Sequence, residues 1–166
     1  MHWIRSALRL QPEMVQDLVP AAHERLGDAQ AALTSGSPTG TVYLAGYSIE
    51  MVLKHAAFRA EGLPPFAFVR DALAPARGRL NVWLGPVDHD SYHSLEFWAL
   101  LLRETHRHRR GAVPANVSAA IRTACRLHEC WQVALRYRSA MVSVPDAQAF
   151  LREAGRFPAR SDELWR

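Results

Sequence analysis

The sequence predicts an all-α protein, and three observations carry that prediction. The stretch 39–62 places Val42, Ala45, Ile49, Val52, Leu53, Ala56 and Ala60 at helical spacing. At least three other stretches carry apolar residues at the same three-and-four spacing, separated by proline and glycine stops. No alternating apolar–polar run marks a strand, and there is no internal repeat. With 166 residues, 49% of them hydrophobic, the chain is long enough to bury one core. A helical domain over 12–157 follows, with 1–11 and 158–166 as terminal arms.

The first helix is predicted from Met14, Leu18, Ala22, Leu26, Ala29 and Leu33, with Pro20 either kinking it or starting a second helix. Ser35-Gly36-Ser37-Pro38 stops it, and so short a link folds the next helix back antiparallel. That principal helix is capped by Thr39 or Thr41 and ended by Gly62, Pro64 and Pro65. Gly46, lacking a side chain, allows a neighbouring backbone to approach.

From about 63 to 90 the periodicity fails. Prolines at 64, 65, 75 and 86 predict a long irregular connection with one short helix around 66–73. Its Phe66, Phe68, Leu80, Val82, Trp83 and Leu84 suggest that it packs. Helix resumes from an Asp90 N-cap through Leu95, Trp98, Ala99 and Leu102 to a basic run, 103–110, before Gly111. The next begins near Pro114 and carries Val117, Ile121, Ala124, His128, Trp131 and Leu135 on one stripe. Ser143 and Pro145 open the last, with Ala147, Phe150, Leu151 and Ala154 inward. In the tail, Leu164 and Trp165 are able to dock.

Charge and cysteine content bound the partners. The formal charge is +4 and the pI about 9.6, which permits an anionic partner. Lys54 is the sole lysine. Cys125 and Cys130, five apart on one predicted helix, point to different faces and read as reduced, buried thiols. No apolar run reaches membrane-spanning length, so a cytoplasmic protein without membrane attachment is expected. Glycine-rich phosphate loops, G-x-S-x-G, HExxH and zinc-type cysteine pairs are absent from the sequence, and no cofactor is called for.

On the principal helix Tyr43, Tyr47, Glu50 and Lys54 share a polar stripe. The segment Tyr-Leu-Ala-Gly-Tyr-Ser-Ile-Glu-Met-Val-Leu-Lys, 43–54, resembles the second helix of the HEPN superfamily. Tyr92-His93-Ser94-Leu95 is similar to that family's Thr-His-Asp-Leu. Trp131-Gln132-Val133-Ala134-Leu135-Arg136-Tyr137 is similar to its Trp-x-x-x-Leu-Arg-Tyr. The resemblance runs from Val19 to Phe157. It implies an antiparallel bundle of about five helices and a homodimer.

The family includes ribonucleases, nucleotide-binding accessory modules and members without known chemistry. Its nucleases carry Arg followed after four to six residues by His near the start of the last core helix. Here 140–145 read Ala-Met-Val-Ser-Val-Pro, so that motif is missing. The expectation is therefore a module that binds nucleotide, RNA or a protein partner through Glu50, Lys54, His93, Arg136, Tyr137 and Arg138. Its setting would be prokaryotic defence, stress or toxin–antitoxin function, with a nucleotidyltransferase-like antitoxin as a cognate partner.

The alternative is a metal-independent ribonuclease using Arg103 with His108, or Arg122 with His128. Separations of five and six residues turn these side chains roughly 140° and 240° apart on a straight helix, so either pair needs a partner subunit. A second alternative is a non-catalytic interaction subunit. Structural readings stand beside these: a solvated helix terminus for the basic run, a core imidazole for His128, and an internal scaffold for the Glu50 stripe. The run Asp88-His89-Asp90 with His93 lacks a second cluster, so no metal site is expected.

Overall fold

The computed structural model describes residues 13–85, 92–132, 134–135 and 141–166. Its helices are α1 (Leu18–Thr34), α2 (Pro38–Ala60), α3 (Val69–Leu84), α4 (Leu95–Arg110), α5 (Ala115–His128), α6 (Val144–Ala154) and the short α7 (Arg156–Ala159). Single 3-10 turns precede α1 and follow α7. Among the described residues the only β pairing is one isolated antiparallel bridge, Met14 to Phe68.

Helix α2 is the axis of the bundle. It is buried nearly all round, its few polar side chains included, and it packs along α1 and against α4 and α6. Helix α4 in turn covers α5 and meets α3. The largest fully buried side chains, Trp98, Trp131, Phe58 and Phe97, stand around α2 and α4. Phe58 and Phe97 both meet the Trp98 ring edge-on, at 5.3 Å and 4.9 Å between centroids.

Several helix boundaries differ from the sequence expectation for identifiable reasons. Pro20 falls in the first turn of α1, where the missing N–H has no helical acceptor to lose, so it begins the helix rather than kinking it. Helix α2 starts at Pro38, and neither Thr39 nor Thr41 caps it. Thr41 Oγ1 donates back to Ser37 O at 3.0 Å, and Thr39 Oγ1 accepts from Met141 N at 3.1 Å. The cap of α4 is Ser94, whose hydroxyl accepts from Phe97 N at 3.1 Å; Asp90 lies outside the described residues. Gly62 and Gly111, at φ +84° and +75°, end α2 and α4 in the left-handed region that glycine favours.

The expected irregular connection 63–90 is instead largely helical. Helix α3 runs through Pro75 to Leu84, far past the short helix expected at 66–73, and buries Val69, Ala72, Ala76 and Leu80. Pro75 costs about 3 kcal/mol inside a helix. It is tolerated here because it sits on the exposed face while that apolar stripe packs inward. The far end of α3 is fastened to α2, with Arg79 Nε donating to buried Glu61 Oε1 at 2.6 Å.

Helix α5 is shorter than its stripe suggested, ending at His128. Trp131 and Leu135 lie beyond it. Cys130 is exposed and Cys125 half-buried, so the thiols are free but not both buried. The tail is docked: Leu164 is buried, and Arg110 donates to Trp165 O at 2.7 Å.

Candidate functional site

The polar stripe of α2 turns inward at its middle. Glu50 is 1% exposed and Lys54 9%, four residues apart and in direct ion-pair contact. Glu50 also meets His93, whose Nδ1 lies 3.1 Å and 3.2 Å from the two carboxylate oxygens. A carboxylate offers only lone pairs, so Nδ1 carries the proton in this contact. His93 lies directly before the Ser94 cap, and Trp98 Nε1 pins the adjoining turn by donating to Tyr92 O at 2.8 Å. The Trp98 ring lies beneath Lys54 Nζ, 5.3 Å from the ammonium, adding a cation–π contact to a charge with little water.

Toward the start of α2 the stripe becomes aromatic. Tyr43, Tyr47, Trp131 and His93 meet edge to face, with Tyr47 in the middle at 5.0 Å, 5.5 Å and 5.7 Å from the others. Trp131 Nε1 donates to Tyr43 O at 3.0 Å across the notch left by Gly46. A Cβ at that position would lie 2.0 Å from the indole nitrogen. Gly46 therefore admits an aromatic side chain, not the neighbouring backbone expected from sequence. Arg136, Tyr137 and Arg138, expected to face Glu50 and Lys54, lie outside the described residues, as do Asp88 and His89.

Lys54 and His93 open onto a cleft of about 430 Å³, completed by Glu13, Val69, Arg70, Leu73 and Tyr92. Glu13 and Arg70 are not singled out by the sequence, and Tyr92 enters there only within the Tyr92-His93-Ser94-Leu95 motif. Glu13 is brought there by the bridge beside it, in which Val69 N donates to Glu13 O at 2.9 Å and Val15 N to Ala67 O at 3.0 Å. Loss of hydration pushes the Glu13 carboxyl up from its ordinary value; Lys54 opposes this, and Glu50 and Asp17 add to it. The Arg77 guanidinium lies 4.2 Å from the Tyr92 ring centre.

The arginines of the two nuclease pairs are each engaged on their own helix. Arg103 Nε donates to buried Glu104 at 2.7 Å, while His108 stacks on Trp83 at 4.5 Å. Arg122 donates to Ser118 Oγ at 3.0 Å on the exposed face of α5, and His128 is half-buried at its end. The basic run as a whole is engaged within the chain. Arg107 joins Arg103 on Glu104, and Arg109 reaches Ala60 O at 3.5 Å. The signal that sequence reading missed was Glu104, a buried carboxylate inside a cationic stretch.

His106, in the same run, is buried and donates from Nε2 to Leu164 O at 2.8 Å, which leaves Nδ1 buried and without a partner among the described residues. Burial lowers its pKa, with the Leu164 bond opposing and Arg110 adding. His55 is lowered as well, again mainly by burial. The unfolded chain therefore takes up these protons more readily than the folded one. Their contribution to stability is present above the ordinary value of 6.5 and is lost as pH falls toward the lower folded-state values. Urea midpoints should drop as pH falls below 6.5, and His106→Gln, which keeps a donor for Leu164, should flatten that slope. An unchanged slope in the variant would contradict the assignment.

Searches of protein-family models, curated proteins and solved structures returned no match to this chain.

Proposed function

We propose that this chain is an HEPN-like helical module that binds its ligand, nucleotide or RNA, at the Glu50–Lys54–His93 cleft and does not cut RNA there. One observation carries the reading. Glu50 is buried and holds two partners at once, yet the side chain of one of them, His93, is 47% exposed at the cleft. A charge cluster serving only as internal scaffold would enclose its imidazole, since buried charges gain most from complete enclosure by their partners. Supporting the non-nuclease side, each arginine of the two Arg/His pairs has a partner within its own helix. Arg136, Tyr137 and Arg138 belong to the proposed contact set by resemblance alone.

The partners this reading brings are a second copy of the chain and a nucleotidyltransferase-like antitoxin in a defence or toxin–antitoxin setting. A groove between α1 and α6, lined by Leu26, Leu33 and Leu151 with Gln30 and Gln148, favours the second reading, a non-catalytic interaction subunit. Thermal-shift measurements with nucleotides and a short RNA separate these. Binding at the cleft predicts a shift of several degrees that Arg70→Ala, a change at an exposed side chain, sharply reduces without altering the ligand-free midpoint. No shift with any of these ligands removes the binding reading. Metal-free cleavage of mixed RNA in EDTA, lost in His108→Ala or His128→Ala, would replace it with the nuclease.

A further inference from the structure

We infer that the cleft is built for a guanine nucleotide, with the Glu13 carboxylate reading the base and Arg70 taking the phosphate. The inference rests on the binding role proposed above and specifies its ligand.

The charges in the cleft sort into those already neutralised and those still open. Lys54 is committed to Glu50, and His93 turns Nδ1 to the same carboxylate. Glu13 has no side-chain hydrogen bond or ion pair among the described residues. The Arg70 side chain is 69% exposed and, among the described residues, pairs only with its neighbour Asp71, at 3.4 Å, and the Phe68 ring. One anion and one cation therefore remain for a ligand. Val69 and Leu73, one helical turn apart on α3, supply an apolar wall. A cleft of this volume falls within the ~300–1,000 Å³ range of small-molecule sites.

A simple dianion would gain from Arg70 but meet repulsion at Glu13. A nucleotide separates its anionic end from its base, so the base can face the carboxylate. A carboxylate only accepts hydrogen bonds, and its two oxygens match two parallel donors. Guanine presents such a pair, N1–H beside the 2-amino group. Adenine presents an acceptor at N1 beside a single amino group, and hypoxanthine keeps N1–H but lacks the second donor.

Calorimetric titration of the full chain with GMP, IMP, AMP and inorganic phosphate tests this. GMP should bind about tenfold or more tighter than AMP, with IMP between them, because a site built to donate or accept rejects an analogue lacking the partner group. Glu13→Gln, which replaces one acceptor oxygen by a donor amide, should erase the GMP preference, and Arg70→Ala should weaken all three nucleotides alike. Equal affinity for GMP and AMP, or a GMP preference that survives in Glu13→Gln, overturns the guanine assignment and leaves the binding module standing. Absence of binding by all three nucleotides overturns the guanine assignment together with the nucleotide half of the binding role. Phosphate binding as tightly as GMP also overturns it, since the base would then contribute nothing.

Discussion

Glu50→Ala is expected to destabilise the protein by about 3–5 kcal/mol, a fall of about 10 °C in midpoint for a chain of this size. The substitution leaves Lys54, 9% exposed, without its direct counter-ion, with the face of Trp98 against its charge and Glu13 acting on it across the cleft. Most of the loss is the cost of a buried cation without its counter-ion, not the net strength of the pair. The double variant Glu50→Leu/Lys54→Met should therefore recover most of it, because two apolar side chains of similar volume need no solvation. Chemical unfolding followed by helical circular dichroism measures both. A double variant as unstable as Glu50→Ala would show that shape, and not charge, governs this position.

Gly46→Ala should cost about 3 kcal/mol, the upper end for overpacking, because the added methyl coincides with the indole of fully buried Trp131. Trp131→Ala, which deletes the indole and its bond to Tyr43 O, should cost about 3–5 kcal/mol. Together they are far from additive. With the indole gone, Gly46→Ala should turn neutral or stabilising by up to about 1 kcal/mol, since alanine is the better helix former. The same destabilisation from Gly46→Ala in both backgrounds would refute the notch.

Elements whose signals are local were legible in the sequence. The Ser143 cap and Pro145 placed the start of α6, and Gly62 and Gly111 placed the ends of α2 and α4. Elements decided by tertiary packing were not. Pro75 reads as a breaker until the inward stripe of α3 is seen to outweigh it. Trp131 keeps the spacing of α5, yet it lies past the helix end and fills the notch on α2 instead.

The candidate site divides the same way. Glu50 and Lys54 were legible because four residues is one helical step, and His93 through the family resemblance. Glu13 and Arg70 were not, because a bridge between 14 and 68 joins them across more than fifty residues. The basic run reads as an unengaged cationic surface only while Glu104 beneath it goes unnoticed.

The chain's single side-chain amine is also the cation of its buried pair. Acylating reagents thus have one side-chain target, held against Glu50 at the wall of the cleft. Their reaction there measures how often that ion pair opens and whether the cleft is filled, with no second amine side chain to confuse the count.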